Sequence, residues 1–342
     1  PRGGMKRFTC VCGQTVFFDN TRCFNCGRTL GHDPLRAELL ALEPLDNDRW
    51  SAPANGIVYR HCRNRLDHGN CNWLIDDQFT DEYCLSCELN ETIPDLGAPE
   101  NLPRWTRLER AKRRLIYHLM QLGLPLNAPV AGFPRGLTFR FLEDSRSRPE
   151  IDLEWVSTGY DNGVITLNVL EADDVQRVWQ RELSGEHYRT LLGHFRHESG
   201  HYYFELLAQD RNSFRATFGN PELPYADALQ AYYLHGPLAG WEGVYISAYA
   251  SAHPLEDWAE SFAHYQHILD TLDTARARGL LPPAPPRETF EAKLAAWDGV
   301  STTLNELNRS LGVRDAYPFV ITPPIAAKLR FVDAAVLHYT GR

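Results

Sequence analysis

Residues 197–201 read His197-Glu198-Ser199-Gly200-His201, inside the run Leu191-Leu-Gly-His-Phe195-Arg-His-Glu-Ser-Gly-His-Tyr202-Tyr203-Phe-Glu-Leu206. The apolar spacing predicts a helix over Glu186–Gln209. Residues four apart on a helix share one face, so His197 and His201 can reach a single metal ion while Glu198 turns towards its open side. Leu191, Leu192, Phe195, Tyr202, Tyr203 and Leu206 make the helix apolar around much of its circumference, as a buried element would be. The competing account, a surface helix with polar residues one turn apart, does not explain those side chains. Buried histidines beside a glutamate need a partner, and zinc is the simplest one. Two imidazoles and a carboxylate leave zinc one position for water, whose pKa falls from about 15.7 to about 7. Glu198 is then the candidate general base, passing the proton to a leaving amine.

A third ligand is required, and Tyr245 to His264 is the stretch that offers one. Pro254 suits a helix's first turn, and Glu256, Glu260 and His264 follow at four-residue intervals on one face. Such a stripe is either a ligand with supporting groups or a solvated face; Trp258, Phe262, Tyr265 and Ile268 favour a packed helix. His253, Asp257 and His264 are rival ligands on the residues alone, and His264 is also a candidate supporting group or substrate contact.

Glu256-Asp257-Trp258-Ala259-Glu260 resembles the Glu-x-x-Ala-Glu segment of gluzincin metallopeptidases. The resemblance implies that Glu256 is the third zinc ligand and that Glu260 orients a zinc-bound histidine. In gluzincins of this kind a tyrosine seven residues before the ligand stabilises the oxyanion, which here is Tyr249. A packed core tyrosine is the alternative at that position.

All eight cysteines lie between Cys10 and Cys87. Cys10, Cys12, Cys23 and Cys26 form two short knuckles; Cys62, Cys71, Cys84 and Cys87 form a looser second set. Each quartet can close a tetrahedral structural zinc, and Gly13 and Gly27 suit the tight turns around a metal. A disulfide framework is the alternative, and so is pairing across the quartets. With no signal peptide and no apolar run of 18 residues, a reducing cytoplasm and zinc are expected.

Positions 1–90 carry 10 Lys and Arg against 12 Asp and Glu, and the whole chain 35 against 44, a formal charge of −9. Nucleic-acid binding needs a basic patch, so a protein-facing or regulatory role suits the cysteine module better, and no membrane contact is expected. The local exception, Arg104 to Arg114 with six basic residues and one acidic, reads as an amphipathic helix with a solvated basic face.

The 342 residues exceed one ordinary core. The expected organisation is a zinc-ribbon module with two four-cysteine zinc sites at 1–90, a proline-rich non-helical linker at 91–103, and a metallopeptidase domain at 104–342. Met5 is the expected natural start. Gly136–Glu143 and Asn162–Val169 alternate as strands, with a turn at Asp161-Asn162-Gly163. In zincins the edge strand lies along the substrate backbone, which makes Val164, Ile165, Thr166 and Leu167 candidates to hold an extended peptide, with ordinary internal pairing as the alternative. The mainly helical remainder is read as starting at Asp174, with its clearest elements at Leu191–Ala208, Leu255–Leu272 and Phe290–Leu311.

The layout as a whole, the cysteine quartets with Arg189 to Tyr203 and His253 to Tyr265, resembles a bacterial family of zinc-binding metallopeptidases with an amino-terminal zinc ribbon. Ser199 departs from the bulkier apolar residue often found there. The fold expected is α+β: a zincin-like domain of a small twisted sheet with active-site helices, preceded by the ribbon. The expected function is hydrolysis of a peptide or protein substrate with one catalytic and two structural zinc ions. A zinc-ribbon adaptor with a vestigial hydrolase domain, and a hydrolase of a non-peptide amide, are the alternatives.

Overall fold

The computed structural model describes residues 8–128, 136–148, 150–152, 155–173 and 190–341. The expected helical residues Glu186–Arg189, and the start of the helical region at Asp174, lie outside them.

The amino-terminal part holds more strand than its cysteine spacing predicts. β1 (Phe8–Thr9) and β2 (Thr15–Val16) make a hairpin around Cys10 and Cys12. β3 (Thr29–Asp33), β4 (Glu38–Pro44), β5 (Arg49–Ser51), β6 (Val58–His61) and β7 (Leu74–Asp76) form an antiparallel sheet in sequence order, with α1 (Arg63–His68) between the last two.

The second sheet carries the candidate site. Its strands are β8 (Asn90–Thr92), β9 (Thr138–Leu142), β10 (Gly159–Asp161) and β11 (Val164–Asn168), in the order β10-β11-β9-β8. β8 and β11 run parallel to β9, and β10 runs antiparallel to β11. Asn162 (φ 45°) and Gly163 (φ 91°) make the turn that folds β10 back. Val164 to Leu167 are therefore not an edge. Their strand is hydrogen-bonded on both sides, so it has no free backbone to offer a peptide, and among the described residues the edge beside the site helices is β10.

The expected linker is part of this fold. Asn90–Thr92 pairs with β9, and α2 (Asn101–Leu122) begins before Pro103. Proline is tolerated there because the first turn's N–H groups have no intrahelical acceptor. Nor is the basic face of α2 solvated throughout. Lys112 and Arg113 are buried. Lys112 Nζ donates to Glu109 (2.8 Å) and to Asn90 of β8, lying over the Phe139 and Phe141 rings; Arg113 donates to Asn70 O at 2.8 Å. Arg104 pairs with Asp173, and Arg114 with Asp19 of the ribbon (2.6 Å). Ribbon and helix also share one core, with Phe18 against Tyr117 and His68 against Trp105.

Beyond the sheet come α3 (Leu191–Leu207), α4 (Arg211–Phe218), α5 (Tyr225–His235), α6 (Pro254–Ala277), α7 (Phe290–Ser310) and α8 (Pro323–Thr340). Thr190 caps α3 by accepting from Gly193 N, and Phe195 seats the helix on Phe139 and Phe141. Across it lies α6, capped by His253 with Pro254 in the first turn. Trp258 Nε1 donates to Gly200 O at 2.8 Å. No described helix is long and apolar enough to cross a membrane.

A Cβ on Gly200 would stand 2.9 Å from Ala259 Cα, so the two helices touch through backbone. Gly200→Val should destabilise the chain by about 1–3 kcal/mol, as overpacking does. Urea unfolding checks this; an unchanged midpoint would mean that the helices are free to separate there.

Candidate metal centre

α3 presents His197 and His201 one turn apart, and the first turn of α6 brings Glu256 to meet them. One ligand atom from each of the three lies within 4.8 Å of the others. Glu256 Oε2 is 3.0 Å from His197 Nε2, and its Oε1 is 3.5 Å from His201 Nε2. Two ligands about 2.1 Å from a tetrahedral zinc stand roughly 3.4 Å apart, so donor atoms gathered within 4.8 Å are close enough to share one ion. Glu256 Oε2 is buried and accepts no hydrogen bond. A buried anionic oxygen without a donor is costly, and a cation answers it.

The charges around His197 are consistent with that cation. Its Nδ1 donates to Glu260 Oε1 at 2.6 Å, which leaves Nε2 facing Glu256. Burial lowers the imidazole's pKa, yet Glu256 and Glu260 together hold it well above the usual value. Burial keeps His201 below its ordinary value, against the pull of Glu256. For Glu256, burial raises the pKa, but His201, His197 and the Tyr225 hydroxyl bring it down to about 2. Glu260 is likewise brought to about 2, against burial, by His197, His264 and Ser247, whose Oγ donates to Oε2 at 2.6 Å.

Glu198 lies on the next position of α3 and lines a cavity of about 830 Å³ together with His197, Tyr249, Glu260 and His264. The Tyr249 ring packs against His197 with centroids 5.8 Å apart. Burial, then Glu256, pushes its phenol far above the ordinary range, so it stays a proton donor. Tyr160 of β10 stacks on His201.

The rival ligands are engaged elsewhere. His253 caps α6, accepting from Leu255 N at Nδ1 (3.1 Å). Asp257 pairs with buried Lys328 at 2.6 Å; burial raises it to about 7 against that lysine's pull. His264 meets the Tyr317 hydroxyl through Nδ1 at 2.8 Å, and burial lowers it to about 4. Sequence reading missed Tyr225, whose hydroxyl donates to Glu256 Oε1, and Ser247. Both lie in loops or helix starts reached only through the path of the chain, with no periodic signal.

The cysteines divide as quartets. Cys10, Cys12, Cys23 and Cys26 make one cluster, and Cys62, Cys71, Cys84 and Cys87 the other. The Cys10–Cys26, Cys12–Cys23 and Cys71–Cys84 sulfurs are 3.6, 3.7 and 3.6 Å apart. The edge of a zinc–thiolate tetrahedron is about 3.8 Å and a disulfide about 2.05 Å, so these are metal-site spacings. Gly13 (φ 86°) and Gly27 (φ 74°) close the two knuckles in the left-handed region that the turns require.

Removing the group that fixes a ligating imidazole should loosen the metal. Glu260→Ala is expected to weaken zinc binding at this centre by about 10–100-fold. Competition against a chromophoric chelator measures it; wild-type affinity would show that the helix alone orients His197.

Comparison with known proteins agrees with these clusters. The family described as "Putative zinc-binding metallo-peptidase" matches residues 101–335, and a zinc-ribbon domain family matches residues 7–98. Uncharacterised proteins from Mycobacterium bovis and from Mycobacterium tuberculosis strain H37Rv are each 40% identical over 344 residues, covering 97% of this chain and 95% of theirs. No solved structure matches. With both segments matched and the relatives aligned nearly end to end, the chain belongs to this zinc-binding metallopeptidase family and carries its zinc ribbon on the amino-terminal side.

Proposed function

We propose that the chain is a zinc-dependent peptidase of gluzincin type, with His197, His201 and Glu256 as metal ligands, Glu198 as general base and Tyr249 as oxyanion donor. The observation that carries this reading is the convergence of the three ligand atoms within 4.8 Å beside a cavity lined by Glu198 and Tyr249.

Zinc bound there would acidify water and polarise a carbonyl. Glu198 then takes the proton of the attacking water and returns it to the leaving nitrogen. The Tyr249 hydroxyl donates to the carbonyl oxygen as charge develops on it, an interaction whose loss typically costs about 10²–10³ in rate. Glu260 keeps His197 in the tautomer that presents Nε2. An extended peptide would lie along the outer side of β10, whose partner β11 occupies only its inner side. The two cysteine quartets would hold two further, structural zinc ions. Separated sulfurs and the chain's acidic charge suit a reducing cytoplasm.

One observation favours an adaptor role beside the hydrolase. Phe24, between Cys23 and Cys26, is 92% exposed, and Val11, between Cys10 and Cys12, is exposed as well. That tip suits a protein partner.

Zinc content per chain by mass spectrometry should be about three, one for each cluster, and fall to two in His197→Ala. Glu198→Gln should keep all three and lose hydrolysis of a peptide library by about 10²–10⁴-fold. Undiminished cleavage by that variant would sink the proposed base; equal zinc in wild type and His197→Ala would leave the adaptor role standing alone.

A further inference from the structure

Glu256 has its two oxygens in different company. Oε2 stands 3.0 Å from His197 Nε2 with no hydrogen bond, while Oε1, 3.5 Å from His201 Nε2, accepts from the Tyr225 hydroxyl. A metal-ligating carboxylate is directed by whatever holds its second oxygen. A glutamate side chain otherwise turns freely about its last bond and can offer either oxygen or both.

The donor comes from an unexpected place. Tyr225 opens α5, none of whose eleven residues is buried, and is itself 41% exposed. Gly219 (φ 98°) and Gly236 (φ 78°) bound the segment. What seats its start is His253: Nδ1 accepts from Leu255 N, so in the neutral ring Nε2 bears the hydrogen and donates to Leu223 O at 3.1 Å. The Tyr225 ring stands edge-on to that imidazole, centroids 5.1 Å apart. His253 thus caps the helix that carries Glu256 and docks the strand of chain that carries Tyr225.

We infer that Tyr225 is a positioning residue for the metal centre: its hydroxyl holds Glu256 Oε1 and thereby presents Oε2 to the ion as a single-oxygen ligand. The inference rests on the reading of His197, His201 and Glu256 as the ligand set. It makes zinc retention depend on a surface helix as well as on the buried α3 and α6.

The test uses the full chain and zinc itself. Tyr225→Phe keeps the ring against His253 and removes one oxygen from a partly exposed residue, so its melting temperature should match wild type. Its affinity for the zinc that His197→Ala abolishes, read by chelator competition, should fall by about 10–100-fold. In a Glu256→Gln background the same change should cost little further, because the hydroxyl acts through the carboxylate. Wild-type zinc affinity in Tyr225→Phe, or an equal loss in both backgrounds, overturns the inference while leaving the ligand set intact. If His197→Ala removes no zinc, it is the ligand set that has failed.

Discussion

The approach of α3 to α6 at Gly200 and Ala259 is the constraint from which the centre follows. Two imidazoles on one helix and a carboxylate on another bring their ligand atoms within 4.8 Å only because the helices pass close to each other. A Cβ at Gly200 would collide with the Ala259 backbone, and Trp258 locks the crossing through Gly200 O. The sequence therefore places its smallest residue in the middle of the metal motif. Ser199 beside it is buried as well, with its hydroxyl returned to Arg196 O, which explains how a polar residue stands where a larger apolar one would fit.

The ribbon is bound to this arrangement by charge as much as by apolar contact. Burial opposes the charge on Arg113, but Cys71, Glu109, Cys87 and Cys84 sustain it. Four thiolates on a zinc ion carry a net charge of about −2, and a buried guanidinium beside them is the compensation such a cluster needs. Next to it, Lys112 and Glu109 reach Asn90 of β8. The second cysteine cluster, α2 and the β8–β11 sheet are thus joined through charged and polar contacts.

Much of the centre was legible because its spacings are local. His197 with His201 and Glu256 with Glu260 each sit four apart on a single helix, and helical periodicity fixes which side chains share a face. The cysteine quartets were legible by count and clustering, and the geometry resolves which sulfurs belong together. What stayed hidden depends on long-range pairing. The zincin resemblance put Val164 to Leu167 at an edge, and no local pattern reveals the parallel partner β9, more than twenty residues earlier. The prolines of 91–103 suggested a break, yet Pro103 occupies a position where a helix accepts one. Tyr225 meets Glu256 across 31 residues, along a path that no periodicity encodes.

The two cysteine clusters differ in one respect that bears on how the protein would age. All four sulfurs of the second are buried, whereas Cys12 is exposed and Cys26 partly so. Asn25 Nδ2 donates to Cys12 Sγ at 3.5 Å, a contact that favours the thiolate. Reactivity towards oxidants follows thiolate character and access together. Access therefore sets the two clusters apart: an oxidant meets the outer knuckle at the surface, while the sulfurs beside α2 are shielded by the fold.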